Sequence, residues 1–381
     1  MRIGFSTTVW ASSVRNRQFD GIGVYTQALW RCLQEQADAP SLLPYAFGNE
    51  FPDMPCGRPE RLAGRFSLSA LQGALLNRSL RASLAIGENV DLFHATDHHI
   101  PYLSGTPVVA TVMDLIPMLH PEWVTSRIRG LKNWIFRESI LSAEHIITIS
   151  EYSKQDMVRH LNIDPANISV TTLGADPSYF QRIAPEVRDE VVRGHGLQPG
   201  FFLFIGTLQP RKNLERALRA HRSLPPALRK KHPLVVVGRN GWGVDHLLPE
   251  LEALEQRGEG RWLKYLPQSE VLALLQSAQA LLFPSLYEGF GLPVVEAFAA
   301  QTPVICSNSS SLPEVAGDAA LLVDPLDEQD IARGMQELLA DPDMTMQRVQ
   351  RGHQRALEFT WAACAEQTLA VYRKVLATRS T

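Results

Sequence analysis

The sequence has few cysteines, no long apolar run and no surplus of basic charge, and each shortage excludes a class of protein. Cys32, Cys56, Cys306 and Cys364 lie far apart and form no CxxC pair. That argues against a zinc site or disulfide framework and for a reducing compartment. No stretch approaches the ~20 apolar residues that span a bilayer. The opening MRIGFSTTVWASS has a single arginine and an apolar run that soon turns polar, a poor signal peptide. A soluble, cytoplasmic chain is therefore expected. A net charge of -3 lacks the basic excess of a nucleic-acid binder.

What is present is length and pattern. At 381 residues the chain exceeds what one hydrophobic core usually serves, so two domains are expected. Short apolar runs alternate with helical periodicity, the pattern of parallel α/β sheets. The first half predicts strands at 2–7, 42–47, 91–94, 107–113, 145–149 and 168–172, and helices at 23–36, 67–85, 126–142 and 152–161, with Ser150 capping the last. The second half restarts the scheme with strands at 201–205, 234–237, 262–265, 280–284, 304–307 and 320–323. Between them, 176–200 is rich in proline, glycine and charge and reads as linker. The stretch 327–378 is helical without a strand. The fold class is α/β: two doubly wound, Rossmann-like parallel sheets facing across a cleft. The domains read as 1–178, 179–360, and a terminal helix 361–381 crossing back to the first domain.

Doubly wound sheets bind ligands beyond the carboxyl ends of their strands, where loops enter helices. The first such loop carries Gly21 and Gly23, with Thr26 where a GxGxxG fingerprint would need its third glycine. A dinucleotide site is thereby disfavoured. The pair either aims backbone N–H groups at an anion or simply starts a helix. In the second domain a strand ends at Gly206 and Thr207, and Arg211, Lys212 and Asn213 precede a helix. Cations at a helix amino terminus oppose its dipole at a cost of ~0.3–1 kcal/mol, so a bound diphosphate accounts for them better than a solvated face. Further on, LYEGFGLPVVEAFA places Glu288 before Gly289-Phe290-Gly291-Leu292 and Glu296 beyond Pro293, in the first turn of a helix. Carboxylates accept hydrogen bonds from paired hydroxyls, so each glutamate could hold a sugar diol. Either one alone reads equally as helix-dipole or surface chemistry.

Taken together, Gly21 and Gly23, GTLQPRKN, the E-x7-E of Glu288 and Glu296, and the terminal FTWAA resemble a family 4 retaining glycosyltransferase of the GT-B fold over nearly the whole chain. The resemblance implies that Arg211 and Lys212 bind the donor diphosphate, with Gly206 and Thr207 beside them. It implies Glu288 on the donor sugar, Glu296 on the ribose, and backbone donors of Gly289, Phe290, Gly291 and Leu292 on sugar or phosphate. Gly21 and Gly23 would close on the diphosphate from the other domain. It also implies a GDP-sugar donor (GDP-mannose or GDP-rhamnose) in O-antigen or exopolysaccharide synthesis, and a lipid-linked or growing glycan as acceptor.

The chain departs from that family at Met113, where many relatives carry histidine before the aspartate. Methionine cannot replace its hydrogen bonding. Either that histidine is dispensable here or another residue does its work, with Asp114 the nearest catalytic candidate. The cluster His94, Asp97, His98 and His99 is the candidate for acceptor binding and also offers a weaker metal reading. Asp341-Pro342-Asp343 matches a metal-binding D-x-D but reads as a helix cap, and the protein cations make a metal or cofactor unnecessary. Five arginines, Arg58, Arg61, Arg65, Arg78 and Arg81, interleave with apolar residues, and a second basic-aromatic run occupies 126–136. Both fit the inner face of an anionic membrane or, equally, an ordinary solvated face over a core. Rival readings are a nucleotide-sugar epimerase or hydrolase of the same fold and a non-catalytic nucleotide-sugar binder.

Overall fold

The structure, a computed structural model, describes residues 1–48, 50–62, 66, 86–123 and 129–379. The predicted helix at 67–85 lies outside them, as do Arg65, Arg78, Arg81 and residues 126–128 of the basic runs. Two compact units are formed, Met1–Leu173 with Trp361–Thr381, and Gly174–Thr360.

The first unit is built on a seven-stranded parallel sheet in the order β3-β2-β1-β4-β5-β6-β7. Its strands are β1 (Arg2–Ser6), β2 (Ser41–Phe47), β3 (Glu60–Leu62), β4 (Leu92–Ala95), β5 (Val108–Thr111), β6 (His145–Thr148) and β7 (Ile168–Val170). β4, β5 and β6 are buried along their whole length, since helices cover both faces, so they read as apolar runs without alternation. The terminal helix Trp361–Arg379 packs on the helix Gly21–Gln34 of the same unit.

The second unit has a six-stranded parallel sheet in the order β10-β9-β8-β11-β12-β13. It comprises β8 (Phe202–Ile205), β9 (Leu234–Val237), β10 (Gly260–Leu263), β11 (Ala280–Phe283), β12 (Val304–Ser307) and β13 (Leu321–Val323). Under it, Phe202, Phe204, Leu234, Val236, Leu282 and Ile305 form one continuous core with the covering helices.

In both sheets the chain runs outward from a central strand and then restarts on that strand's other side. The reversal falls between β1 and β4 in the first unit and between β8 and β11 in the second. There, successive connections leave on opposite faces and open a crevice at the carboxyl ends.

The predicted strands are present with ends shifted by up to two residues, and β3 is an addition too short to stand out in sequence. Three readings are corrected. The polar loop after β1 is a helix, Thr8–Asn16, whose small residues let it lie against its neighbour. The linker at 176–200 holds a 3-10 turn, Pro177–Phe180, and the helix Pro185–Gly194, which packs on Gln268–Ser277. Glu296 is the fifth residue of the helix Leu292–Ala299, whose first turn holds no acid. It is too deep in the helix to serve the amino-terminal dipole.

Candidate active site

The loops after β8, β11 and β12 converge at the reversal of the second sheet. Arg211 and Lys212 end a 3-10 turn, Pro210–Lys212, which Asn213 closes in the left-handed region at φ 62°. Asn213 Nδ2 ties this turn down by donating to the carbonyls of Pro284 at 2.9 Å and Pro325 at 2.7 Å. The backbone N–H of Leu286 donates to the Arg211 carbonyl at 2.8 Å, joining the β11 loop to the β8 loop.

Glu288 is thereby delivered between both cations. Its Oε2 accepts from Arg211 Nη1 at 2.7 Å and its Oε1 from Lys212 Nζ at 2.6 Å. Lys212 and Glu288 are only 8% and 7% exposed, so the charges meet in a medium that strengthens them. Burial disfavours the carboxylate, but Arg211 and then Lys212 outweigh it and pull Glu288 down to about 2. Lys212 Nζ also lies 4.8 Å from the centre of the Phe283 ring. Its stem passes Gly206, while Thr207 is half-buried beside it.

The β12 loop supplies partners that the sequence reading missed. The Glu288 N–H donates to Ser310 Oγ at 3.0 Å, and Ser311 Oγ lies 2.9 Å from the carbonyl oxygens of both Glu288 and Phe290, to which it can donate. The available signal was the run Ser309-Ser310-Ser311 just past a strand end. Phe290 anchors the turn by packing edge-on to Phe359 at 5.5 Å. Gly291 caps the following helix at φ 113°, where a Cβ would also strike Leu312 Cδ2 at 2.6 Å. Leu292 opens that helix and Gly289 is buried.

Glu296 sits apart from this clamp in its bonding. Its partner is Tyr179, with Asp176 nearby, and burial raises its carboxyl to about 7, the Tyr179 hydrogen bond opposing and Asp176 adding to the shift.

In the first unit, Gly21 and Gly23 divide. Asp20 caps the helix by accepting from Gly23 N at 2.8 Å. A Cβ on Gly23 would meet Ser13 Oγ at 2.5 Å, whereas Gly21 faces open space. A cavity of about 480 Å³ in this unit is lined by Asp97, His98, His99, Met113 and Asp114, among others. His94 is a correction to the acceptor cluster. It is 0% exposed, with Nδ1 2.6 Å from Tyr372 Oη and Nε2 2.7 Å from Thr111 Oγ1, leaving no ring nitrogen for a ligand. Burial lowers it to about 3, so it is a neutral core residue. Asp114 Oδ1 accepts from Ile116 N at 3.0 Å, holding the start of a short helix. Asp341 caps the helix Pro342–Ala356 by accepting from Met344 N at 2.9 Å, the structural role read for that motif.

Comparison with known proteins gives this geometry its context. Residues 19–179 match the family model "Glycosyltransferase Family 4" and residues 188–355 match "Glycosyl transferases group 1". An O-antigen chain mannosyltransferase B from Escherichia coli is 33% identical over 286 residues, covering 74% of each chain. The chain belongs to the family 4 glycosyltransferases. The transferase also shares its fold with WaaG, a glycosyltransferase of lipopolysaccharide biosynthesis, at TM-score 0.72 and 16% identity over 97% of this chain and 99% of that one. HepE from Anabaena, solved with UDP and glucose, superposes at TM-score 0.76 with 15% identity over 98% and 100%. These similarities establish the GT-B fold class and glycosyl transfer as the activity.

Proposed function

We propose that the transferase moves mannose from GDP-mannose to a growing O-antigen-type glycan with retention of anomeric configuration and without a metal. The observation that carries the reading is the clamp of Arg211, Lys212 and Glu288 at the sheet reversal. Two fixed cations there suit a departing diphosphate, whose negative charge grows as the glycosidic bond breaks, and they stabilise it most in the transition state. In this reading Glu288 holds the cations in place beside the donor sugar, and the leaving phosphate oxygen takes the proton of the acceptor hydroxyl. Mannose and the glycan acceptor are supported by the E. coli relative, which is named for O-antigen mannosyl transfer.

A panel of nucleoside diphosphates and their sugars in thermal unfolding tests the donor. GDP and GDP-mannose should raise the melting temperature, with UDP silent, since ligand at ~100 times its Kd adds about 2.7 kcal/mol. A shift with UDP alone would replace the donor. Turnover of GDP-mannose at full rate without any acceptor would make the protein a hydrolase or epimerase instead.

Glu296 is assigned to the ribose hydroxyls, and its raised carboxyl makes that testable by pH. Its folded value of about 7 exceeds the ordinary 4.5. The native state therefore holds the proton more tightly than the unfolded chain, and the associated stability is present below the ordinary value and lost as pH rises through the folded one. The wild type should lose stability relative to Glu296→Gln between about pH 5 and about pH 8, while its affinity for GDP rises over the same window as the carboxylate forms. Parallel stability curves would contradict the raised carboxyl, and a flat affinity profile would remove Glu296 from the ribose.

No described helix is long and apolar enough to cross a membrane. We assign the first unit to the inner face of an anionic bilayer. On the helix Arg129–Leu141, Arg129, Leu131, Lys132 and Trp134 are all exposed, which supports such a surface.

A further inference from the structure

Asp97 and His99 form a dyad at the reversal of the first sheet, where the loop after β4 meets the helix Thr8–Asn16 that follows β1. Asp97 is 2% exposed. Its Oδ1 accepts from the backbone N–H of His99 and lies against His99 Nδ1, both at 2.7 Å. Its Oδ2 accepts from Val9 N, in the first turn of that helix, at 3.4 Å. Burial opposes the charge on Asp97, yet the His99 hydrogen bond and the neighbouring imidazoles hold it below the usual carboxylate range. An ionised carboxylate only accepts, so His99 Nδ1 carries the proton that faces it. In the neutral ring Nε2 is then the basic nitrogen, available as an acceptor. The ring is fixed by Phe66, edge to face at 4.9 Å, and by His98 at 4.1 Å.

The dyad lines the cavity of about 480 Å³, within the ~300–1,000 Å³ usual for a small-molecule site. Val112, Ile135 and Phe136 give it apolar walls, and charges of both signs, Asp114 and Lys132, stand in the same lining. A strongly charged ligand of either sign would meet its like. A sugar ring fits this mixture, laying its C–H face on the apolar wall and offering hydroxyls to the polar end.

We propose that His99, positioned by Asp97, accepts a hydrogen bond from a hydroxyl of the glycan acceptor bound in this cavity and thereby selects the acceptor. The assignment rests on the transferase reading, and it makes His99 a binding residue and Asp97 a positioning residue. The test uses the full chain with GDP-mannose as donor and methyl α-mannopyranoside as acceptor probe, with GDP affinity measured for every variant by calorimetry. His99→Ala should raise the KM for the mannoside about tenfold, the size of one lost hydrogen bond, with GDP affinity unchanged. His99→Gln, which keeps a carbonyl acceptor, should recover most of that loss. Asp97→Ala should raise the KM comparably although the imidazole remains, because no carboxylate then holds the proton on Nδ1 or fixes the ring.

A mannoside KM within twofold of the wild type in both His99→Ala and Asp97→Ala, with GDP still bound, overturns the proposal. So does a wild type that binds GDP but shows no mannoside-dependent turnover. Saturable Zn²⁺ binding that His99→Ala abolishes overturns it in favour of a metal centre, since Asp97, His98 and His99 present ligand atoms within 4.8 Å of one another. A wild type that fails to bind GDP defeats the functional reading itself, and this assignment with it.

Discussion

Glu288→Gln is expected to slow transfer by about 10²–10³-fold, the scale of losing one fixed electrostatic partner, while binding GDP more tightly. In the folded protein Glu288 gives one oxygen to Arg211 and the other to Lys212. With its carboxyl at about 2 it is fully ionised near neutrality, and it neutralises one of the two cations. Glutamine keeps the shape and removes the charge. The cations then attract a diphosphate more strongly, but nothing holds them where the departing charge develops. Binding and catalysis therefore part company, as they do when an interaction stabilises position rather than ground-state affinity. Stability should fall as well, by about 3 kcal/mol, because two largely buried cations lose their anion. Initial rates at saturating donor and GDP calorimetry read the two effects separately. Transfer within threefold of the wild type would remove Glu288 from the reaction. Weaker GDP binding would make the carboxylate a ligand of the nucleotide rather than a counter-charge.

Gly238→Ala is expected to cost roughly 3 kcal/mol or more, although residue 238 touches none of the charged groups directly. A Cβ there would stand 1.9 Å from the Gly206 carbonyl oxygen and 2.6 Å from its carbon. The obstruction is backbone, which cannot rotate away. The backbones are also pinned, since Gly206 N donates to Val237 O at 2.9 Å and Gly238 N to Lys264 O at 2.8 Å. Relief requires the ends of β8 and β9 to separate, which would displace Gly206 and the Lys212 stem beside it. Activity should fall further than the folded fraction alone explains. Gly21→Ala is the control: it starts a helix and meets open space, so its stability should stay within ~0.5 kcal/mol of the wild type. Urea unfolding of both variants decides the matter, and equal midpoints would show that the β8–β9 ends yield more easily than the geometry implies.

Much of this was legible in the sequence because parallel strands buried on both faces are apolar along their length. Val235 and Val236, or Ile146 and Ile147, announce themselves without any alternation to decode. The elements that escaped notice have weaker local signals. The helix Thr8–Asn16 is rich in serine and small residues and its packing, not its propensity, holds it. The helix Pro185–Gly194 is half charged and is fixed by the neighbour it packs on. His94 and His99 are five positions apart and chemically identical in the sequence. Burial between Tyr372 and Thr111 makes one a core residue, while Asp97 turns the other towards a cavity. Nothing local distinguishes them, because Tyr372 arrives from the far end of the chain.

By itself the sequence determined every strand but β3, the loops that carry charge, and the family to which their order belongs. Hydrophobic runs and motif spacing are local properties, written in consecutive residues. Only the tertiary structure decided which loops meet. The reversal of each sheet sets β8 beside β11 and β1 beside β4, across long stretches of chain. It brings Glu288 between Arg211 and Lys212, and Asp97 to the start of the helix that follows β1. Strand order is fixed by how the helices cover the two faces of a twisted sheet, a property of the packed whole that no single stretch encodes.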